Sequence, residues 1–308
     1  MLLFEILAAA WFFAFGAVIG SFLNVVVWRT PRGESMMGPS RCPQCRAAIR
    51  WYNNVPVFGW IWLGGKCRDC KVPISPRYPL VEFICGAMFL AVALAELASG
   101  GANLPGVSPP RTRGLVNMML DTNWELVRIY ALQMLLLCAL LAWGLMQVDE
   151  QRVPRVQIFA LWIIGFVAAF MWSPIAAPER DSRPVSEDRV SYPWMDPWLD
   201  PLYYLIGFFV GGGIAAPIAL FLHWFTFRGK QVGGNGWMLF AALTSVGLFQ
   251  GVESVTTVFL LACAIRIVSW LASFLLAPLR TVPFTLDIYS ACVIQICLWK
   301  YVTISIAP

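Results

Sequence analysis

Cys42-Pro-Gln-Cys45 and, after 21 further residues, Cys67-Arg-Asp-Cys70 stand in a polar, basic block set into a sequence that is otherwise strongly apolar. Two Cys-x-x-Cys pairs at this separation are the ligand pattern of a tetrahedral four-cysteine zinc site, in which each pair turns two thiolates toward one ion. Two disulfides, or four unrelated thiols, are the other readings of the same residues. Zinc would let so short a loop fold without a core of its own, because binding energy then becomes folding energy. From Arg29 to Arg77 the block carries nine Lys or Arg against Glu34 and Asp69.

Composition places the rest of the chain in a membrane. Hydrophobic residues make up 59% and charged residues 13% of 308 positions, with a mean hydropathy of +0.69, whereas soluble domains are about a quarter charged. The formal charge of +5 is too small to point to nucleic acid. Cys85, Cys138, Cys263, Cys292 and Cys297 lie in apolar runs and read as packing residues. No low-complexity tract or internal repeat stands out.

Residues 2–28 form an apolar run too long for the hydrophobic region of a signal peptide and without a basic start, so they read as an uncleaved first membrane helix. Further helices are expected at about 78–98, 127–147, 157–172, 202–227, 236–252, 255–277 and 286–304. The fold class is therefore an all-α, polytopic bundle of about eight transmembrane helices with a small zinc-binding loop. Its divisions are a first helix at 1–28, the four-cysteine block at 29–77 and a multi-helix domain at 78–308. The loops near 29–77, 148–156, 228–236 and 278–285 hold fourteen basic residues, those near 99–126 and 173–201 only five. The positive-inside rule then puts the zinc block in the cytoplasm, where reducing conditions favour metal over disulfides. The acidic, proline-rich stretch 173–201 reads as an external linker.

The first 90 residues carry a dense set of short motifs: Gly20-Ser-Phe-Leu-Asn24, Arg29-Thr-Pro31, Pro39-Ser-Arg-Cys-Pro-Gln-Cys45, Trp51-Tyr-Asn-Asn-Val-Pro56, Gly64-Gly-Lys-Cys-Arg-Asp-Cys70, Ile74-Ser-Pro-Arg-Tyr-Pro79 and Glu82. In order and spacing they resemble the N-terminal half of the type IV prepilin leader peptidases. That resemblance implies a multi-pass protein of the bacterial inner membrane acting on type IV pilin-like precursors of a pilus or type II secretion system. It also implies zinc in the cysteine block and S-adenosylmethionine as methyl donor for an N-methyltransferase activity.

The remainder resembles the family more weakly, and the departures fall on the chemistry. The family is an aspartic endopeptidase whose two carboxylates, on separate helices, supply a base for water and an acid for the leaving amine. The first aspartate lies seven residues before the proline of an apolar-Pro turn. That turn is Val153-Pro154 here, and the position holds Gln147. The second belongs to a Gly-x-Gly-Asp motif, and Gly233-Gly-Asn-Gly236 puts Gly236 in its place.

Asp149 is the nearest substitute for the first carboxylate, but it lies about 200° around a helix from Gln147 unless the helix ends before it. The leading expectation is a family member, perforce a pseudoenzyme, that handles precursors without cutting them. A working peptidase using Asp149 is the alternative, and a small transporter is a reading from another class. Arg266, mid-helix in an apolar run, either pairs with an acid, Glu253 or Glu82, or snorkels to the interface. Gly211-Gly-Gly213 reads as a close helix contact, and His223, the one histidine, as an interfacial residue.

Overall fold

The computed structural model describes residues 2–103, 114–171, 200–226, 235–272 and 283–298. Among them the chain is all-α: α1 Leu2–Arg29, α2 Phe58–Trp62, α3 Arg77–Val92, α4 Leu115–Leu120, α5 Trp124–Val148, α6 Arg155–Met171, α7 Asp200–Thr226, α8 Asn235–Gln250, α9 Val252–Ala272 and α10 Phe284–Cys297. The eight long helices fall where the apolar runs predict them. A π turn, Ala93–Leu97, prolongs α3. Three helical segments, Leu2–Arg32, Arg77–Leu97 and Leu126–Val148, are long and apolar enough to cross a membrane, and the other apolar helices are shorter. Most of the acidic stretch 173–201 lies outside the described residues, as does the side chain of His223.

Contacts group the chain into two units, one running to Pro154 and including α10 from Val293, the other from Arg155 to Cys292. In the first, α1 lies along α3 at glycine-to-backbone distance. A Cβ on Gly16 would come within 2.6 Å of the Phe89 Cβ, and one on Gly20 within 2.8 Å of the Glu82 Cα. Small residues four apart give this kind of approach where lipid removes any hydrophobic drive between helices. The opposite side of α1 leaves Trp11, Val18 and Phe22 exposed. Asn24 donates to the Tyr78 carbonyl (3.1 Å), tying the end of α1 to the start of α3. The Glu5 carboxylate accepts from the Leu115 and Val116 amides, capping α4 where its free N–H groups favour an anion.

In the second unit, α7 and α8 meet through Gly207, Gly211 and Gly247. A Cβ on Gly247 would fall onto the Gly207 carbonyl, and one on Gly211 onto the Leu243 carbonyl. The close contact expected of the Gly211–Gly213 run is thus made by Gly211, while Gly213 faces open space. Trp162 of α6 donates to the Ser245 hydroxyl of α8 (3.0 Å). Arg266 pairs with Asp287 at the start of α10; the side chain of Glu253 lies outside the described residues. Nothing in the sequence singles out Asp287 as this partner. Helix packing brings in a carboxylate 21 residues away whose side chain is almost wholly buried.

Candidate metal centre

The four cysteines of the basic block converge. Their sulfurs all lie within 4.8 Å of one another, with Cys42 to Cys70 at 3.8 Å and Cys45 to Cys67 at 4.0 Å. Four sulfurs about 2.3 Å from one ion at tetrahedral angles sit about 3.8 Å apart, so two of the pairs stand at zinc spacing and the cluster could hold one ion. All four thiols are free, which removes the disulfide reading.

The local backbone explains how so polar a sequence reaches that geometry. In the first knuckle Cys42 N–H donates to Ala47 O (3.0 Å), Arg46 N–H to Cys42 O (2.9 Å) and Ile49 N–H to Ser40 O (2.8 Å). The second repeats this 25 residues on: Cys67 to Val72 (2.8 Å), Lys71 to Cys67 (3.0 Å) and Ile74 to Gly65 (2.7 Å). The antiparallel bridges Arg41–Ala48 and Lys66–Pro73 match as well. So do the left-handed residues that follow each second cysteine, Arg46 (φ 57°) and Lys71 (φ 61°). The block is an internal repeat after all, basic-Cys-x-x-Cys-basic-x-x-Ile twice over. Sequence reading passes over it because only the cysteines and one isoleucine are identical, and the rest of the likeness lies in main-chain hydrogen bonds.

Electrostatics set Cys42 and Cys45 apart. Amide donation, first from Cys45, pulls the Cys42 thiol down to about 7. At Cys45 the Ala47 amide acts in the same direction, but desolvation and the neighbouring thiols prevail and push it up to about 11. Thiolates this close repel, so the full set ionises only around a cation.

One contact braces the metal loop internally and two seat it on the long helices. Trp60 of α2 donates to the Ile74 carbonyl at the end of the second knuckle (2.9 Å). The Glu82 carboxylate of α3 accepts from the Val57 amide (2.7 Å). Val57 is the centre of a tight turn closed by Phe58 N–H to Pro56 O (2.7 Å), with φ 63° and ψ −55°; this conformation is rare and strained for a β-branched residue. The Arg29 guanidinium gathers the Ser35 and Pro39 carbonyls at the exit of α1.

The candidate catalytic residues sit elsewhere in the fold. α5 ends at Val148 and Asp149 is its cap residue, with its N–H still donating to the Leu145 carbonyl (3.1 Å). The ending is a Schellman turn: Gln151 N–H donates to Met146 O (2.8 Å), Glu150 N–H to Gln147 O (3.0 Å), and Glu150 takes the left-handed position with φ 55°. The Asp149 carboxylate is ion-paired to Arg77, whose second nitrogen also donates to the Leu145 carbonyl (3.2 Å). Arg77 is the first residue of α3, 72 positions away, and no sequence signal marks the pairing. Gln147 is half-buried in the last turn of α5 and makes interactions of its own. Gly236 is the second residue of α8, in the other unit. No cluster among the described residues marks a site for S-adenosylmethionine.

Comparison with known proteins agrees with the loop. The model of the bacterial peptidase A24 N-terminal domain matches residues 14–95. A prepilin leader peptidase/N-methyltransferase of Myxococcus xanthus is 49% identical over 86 residues, 28% of this chain and 26% of the relative. A type 4 prepilin-like proteins leader peptide-processing enzyme of Escherichia coli O78:H11 is 42% identical over 106 residues (28% and 39%). A prepilin leader peptidase/N-methyltransferase of Klebsiella pneumoniae is 39% identical over 124 residues (38% and 50%). The chain thus spans between 26% and 50% of the length of these relatives. No solved structure matches it. The motifs, the paired knuckles and their anchoring on α1 and α3 agree with the match of residues 14–95 to the bacterial A24 peptidase N-terminal domain, and over this segment the chain is similar to prepilin leader peptidases.

Proposed function

We infer that this chain is a multi-pass protein of the bacterial inner membrane that holds type IV pilin-like precursors and has lost the peptidase chemistry of its relatives. The observation that carries this reading is the end of α5. Gln147 occupies the position where the family resemblance calls for an aspartate, and the nearby Asp149 is engaged by Arg77. A carboxylate held by a guanidinium is poorly placed to draw a proton from water, and aspartyl chemistry needs two carboxylates sharing one proton. Gly236 supplies none at the second position. The zinc loop, with its nine basic residues, faces the cytoplasm in this reading, as the positive-inside rule requires.

A second reading, a working leader peptidase using Asp149, is favoured by the names of the relatives. It requires Arg77 to let go and another acid to come in. Methyl transfer with S-adenosylmethionine is compatible with either reading, whereas a transporter leaves the family-like first 95 residues without a role.

The test is incubation of the purified protein in lipid with a pilin-like precursor. No leader cleavage is expected from the unmodified chain. Gln147→Asp together with Gly236→Asp should restore cleavage, and neither change alone should do so. Cleavage by the unmodified protein that disappears in Asp149→Asn would overturn the inactive reading in favour of the second.

A further inference from the structure

We propose that the metal loop has a membrane-docking face, built on α2 and the turn before it, that lies against the headgroup layer of an anionic phospholipid surface. Four large apolar side chains carry it: Trp51 (84% exposed), Phe58 (54%), Ile61 (56%) and Trp62 (69%). They belong to one patch, since the Phe58 and Trp62 rings lie 6.0 Å apart and Gly59 of α2 packs onto the backbone of Asn53 in the turn that Trp51 opens. Nothing in the metal centre calls for them. Trp60, the indole between them, is the one turned inward, onto the Ile74 carbonyl.

Cations border the same patch. Arg50, next to Trp51, and Arg68, from the second knuckle, both donate to the Tyr52 hydroxyl (2.9 and 2.7 Å). This brings two exposed guanidinium groups together on one neutral oxygen. Lys66 is exposed just beyond α2. Within the block from Arg29 to Arg77 only Glu34 and Asp69 oppose nine positive charges. Indoles flanked by guanidinium groups suit the boundary where hydrocarbon meets phosphate.

Tethering makes the encounter unavoidable. The loop begins where the span Leu2–Arg32 ends and finishes where the span Arg77–Leu97 starts. Both its ends are therefore fixed at the membrane surface, and a soluble protein partner would have to compete with lipid already at hand.

The experiment places the photo-reactive residue benzoylphenylalanine at Trp62 in the full-length, zinc-loaded protein. The protein is reconstituted in nanodiscs of phosphatidylcholine alone or mixed with phosphatidylglycerol and illuminated, and the peptide containing residue 62 is weighed. Lipid adducts are expected. Their yield should rise in the anionic discs and fall about fivefold when one charge is neutralised in Arg50→Gln, with zinc content unchanged. The same probe at Met37, exposed but outside the patch, should give few. Absence of lipid adducts from zinc-loaded protein, equal adducts at positions 37 and 62, or crosslinks to a second protein chain in their place would overturn the proposal.

Discussion

The metal loop and the α7–α8 pair face the same difficulty and meet it in opposite ways. Neither can rely on the expulsion of water from apolar side chains to hold its backbone. The loop has short knuckles, charged side chains and outward-facing aromatics, and brings together four sulfurs that could hold one ion. The helix pair sits where lipid is as apolar as any side chain, and its order comes from missing side chains at Gly207, Gly211 and Gly247, which let main chain touch main chain. One region is held by something added, the other by something left out, so each should fail to a different perturbation.

The largest expected effect is in the loop. Structural zinc sites supply about 10–16 kcal/mol of apparent binding free energy, far more than a loop of this size can replace. Cys67→Ser should abolish binding of about one equivalent of zinc and open the loop to protease between the knuckles, while α7 and α8 stay intact. A metal-free protein with a protease-resistant loop would break the comparison on this side.

Gly247→Leu is the matching change in the helix pair. The added side chain meets the Gly207 carbonyl, a backbone atom that cannot rotate away, so overpacking should cost about 3 kcal/mol. Thermal unfolding in lipid should fall, with zinc content unaffected. Unchanged stability would show that α7 and α8 do not pack at glycine distance.

How legible these two regions are in the sequence follows from the same contrast. Cysteines announce a metal site by identity and spacing, so Cys42, Cys45, Cys67 and Cys70 can be named before any fold is known. Apolar runs likewise announce the long helices. Glycines announce only that something comes close, not what. The repeat of the two knuckles escapes because main-chain hydrogen bonds leave little trace in side-chain identity. The Arg77–Asp149 and Arg266–Asp287 pairs escape because tertiary packing selects one partner among several plausible acids. The strained turn at Val57 is hidden too, since a valine argues against a left-handed residue.

Acid should act on the loop in steps. Zinc takes thiolates, so every proton displaced on binding changes apparent affinity about tenfold per pH unit. The Cys42 thiol, lowered to about 7, is already ionised above that pH and adds nothing there. Below it, Cys42 too must surrender a proton, so the fall in affinity should steepen by about one further decade per pH unit. A titration with a competing chelator from pH 8 to about 5.5 would show the break near Cys42's value. A slope constant through 7 would mean that Cys42 is not the first thiolate of the set.

The smallest expected effect tests the end of α5, where neither metal nor glycine holds the backbone. Glu150 occupies the left-handed position of the Schellman turn with φ 55°, a place that most helices give to glycine because a side chain there is strained. The carboxylate itself is exposed, and the ion pair with Arg77 belongs to Asp149, one residue earlier. Glu150→Gly should therefore relieve the strain and stabilise the first unit by about 0.5–1 kcal/mol, with Asp149 still facing Arg77. The gain would appear as a slightly higher unfolding temperature in lipid and unchanged zinc content. Destabilisation would mean that the Glu150 side chain does work at the helix end beyond its backbone. In that case the acid to replace in the cleavage test is Glu150 as well as Asp149, because the turn would then be holding two engaged carboxylates and not one.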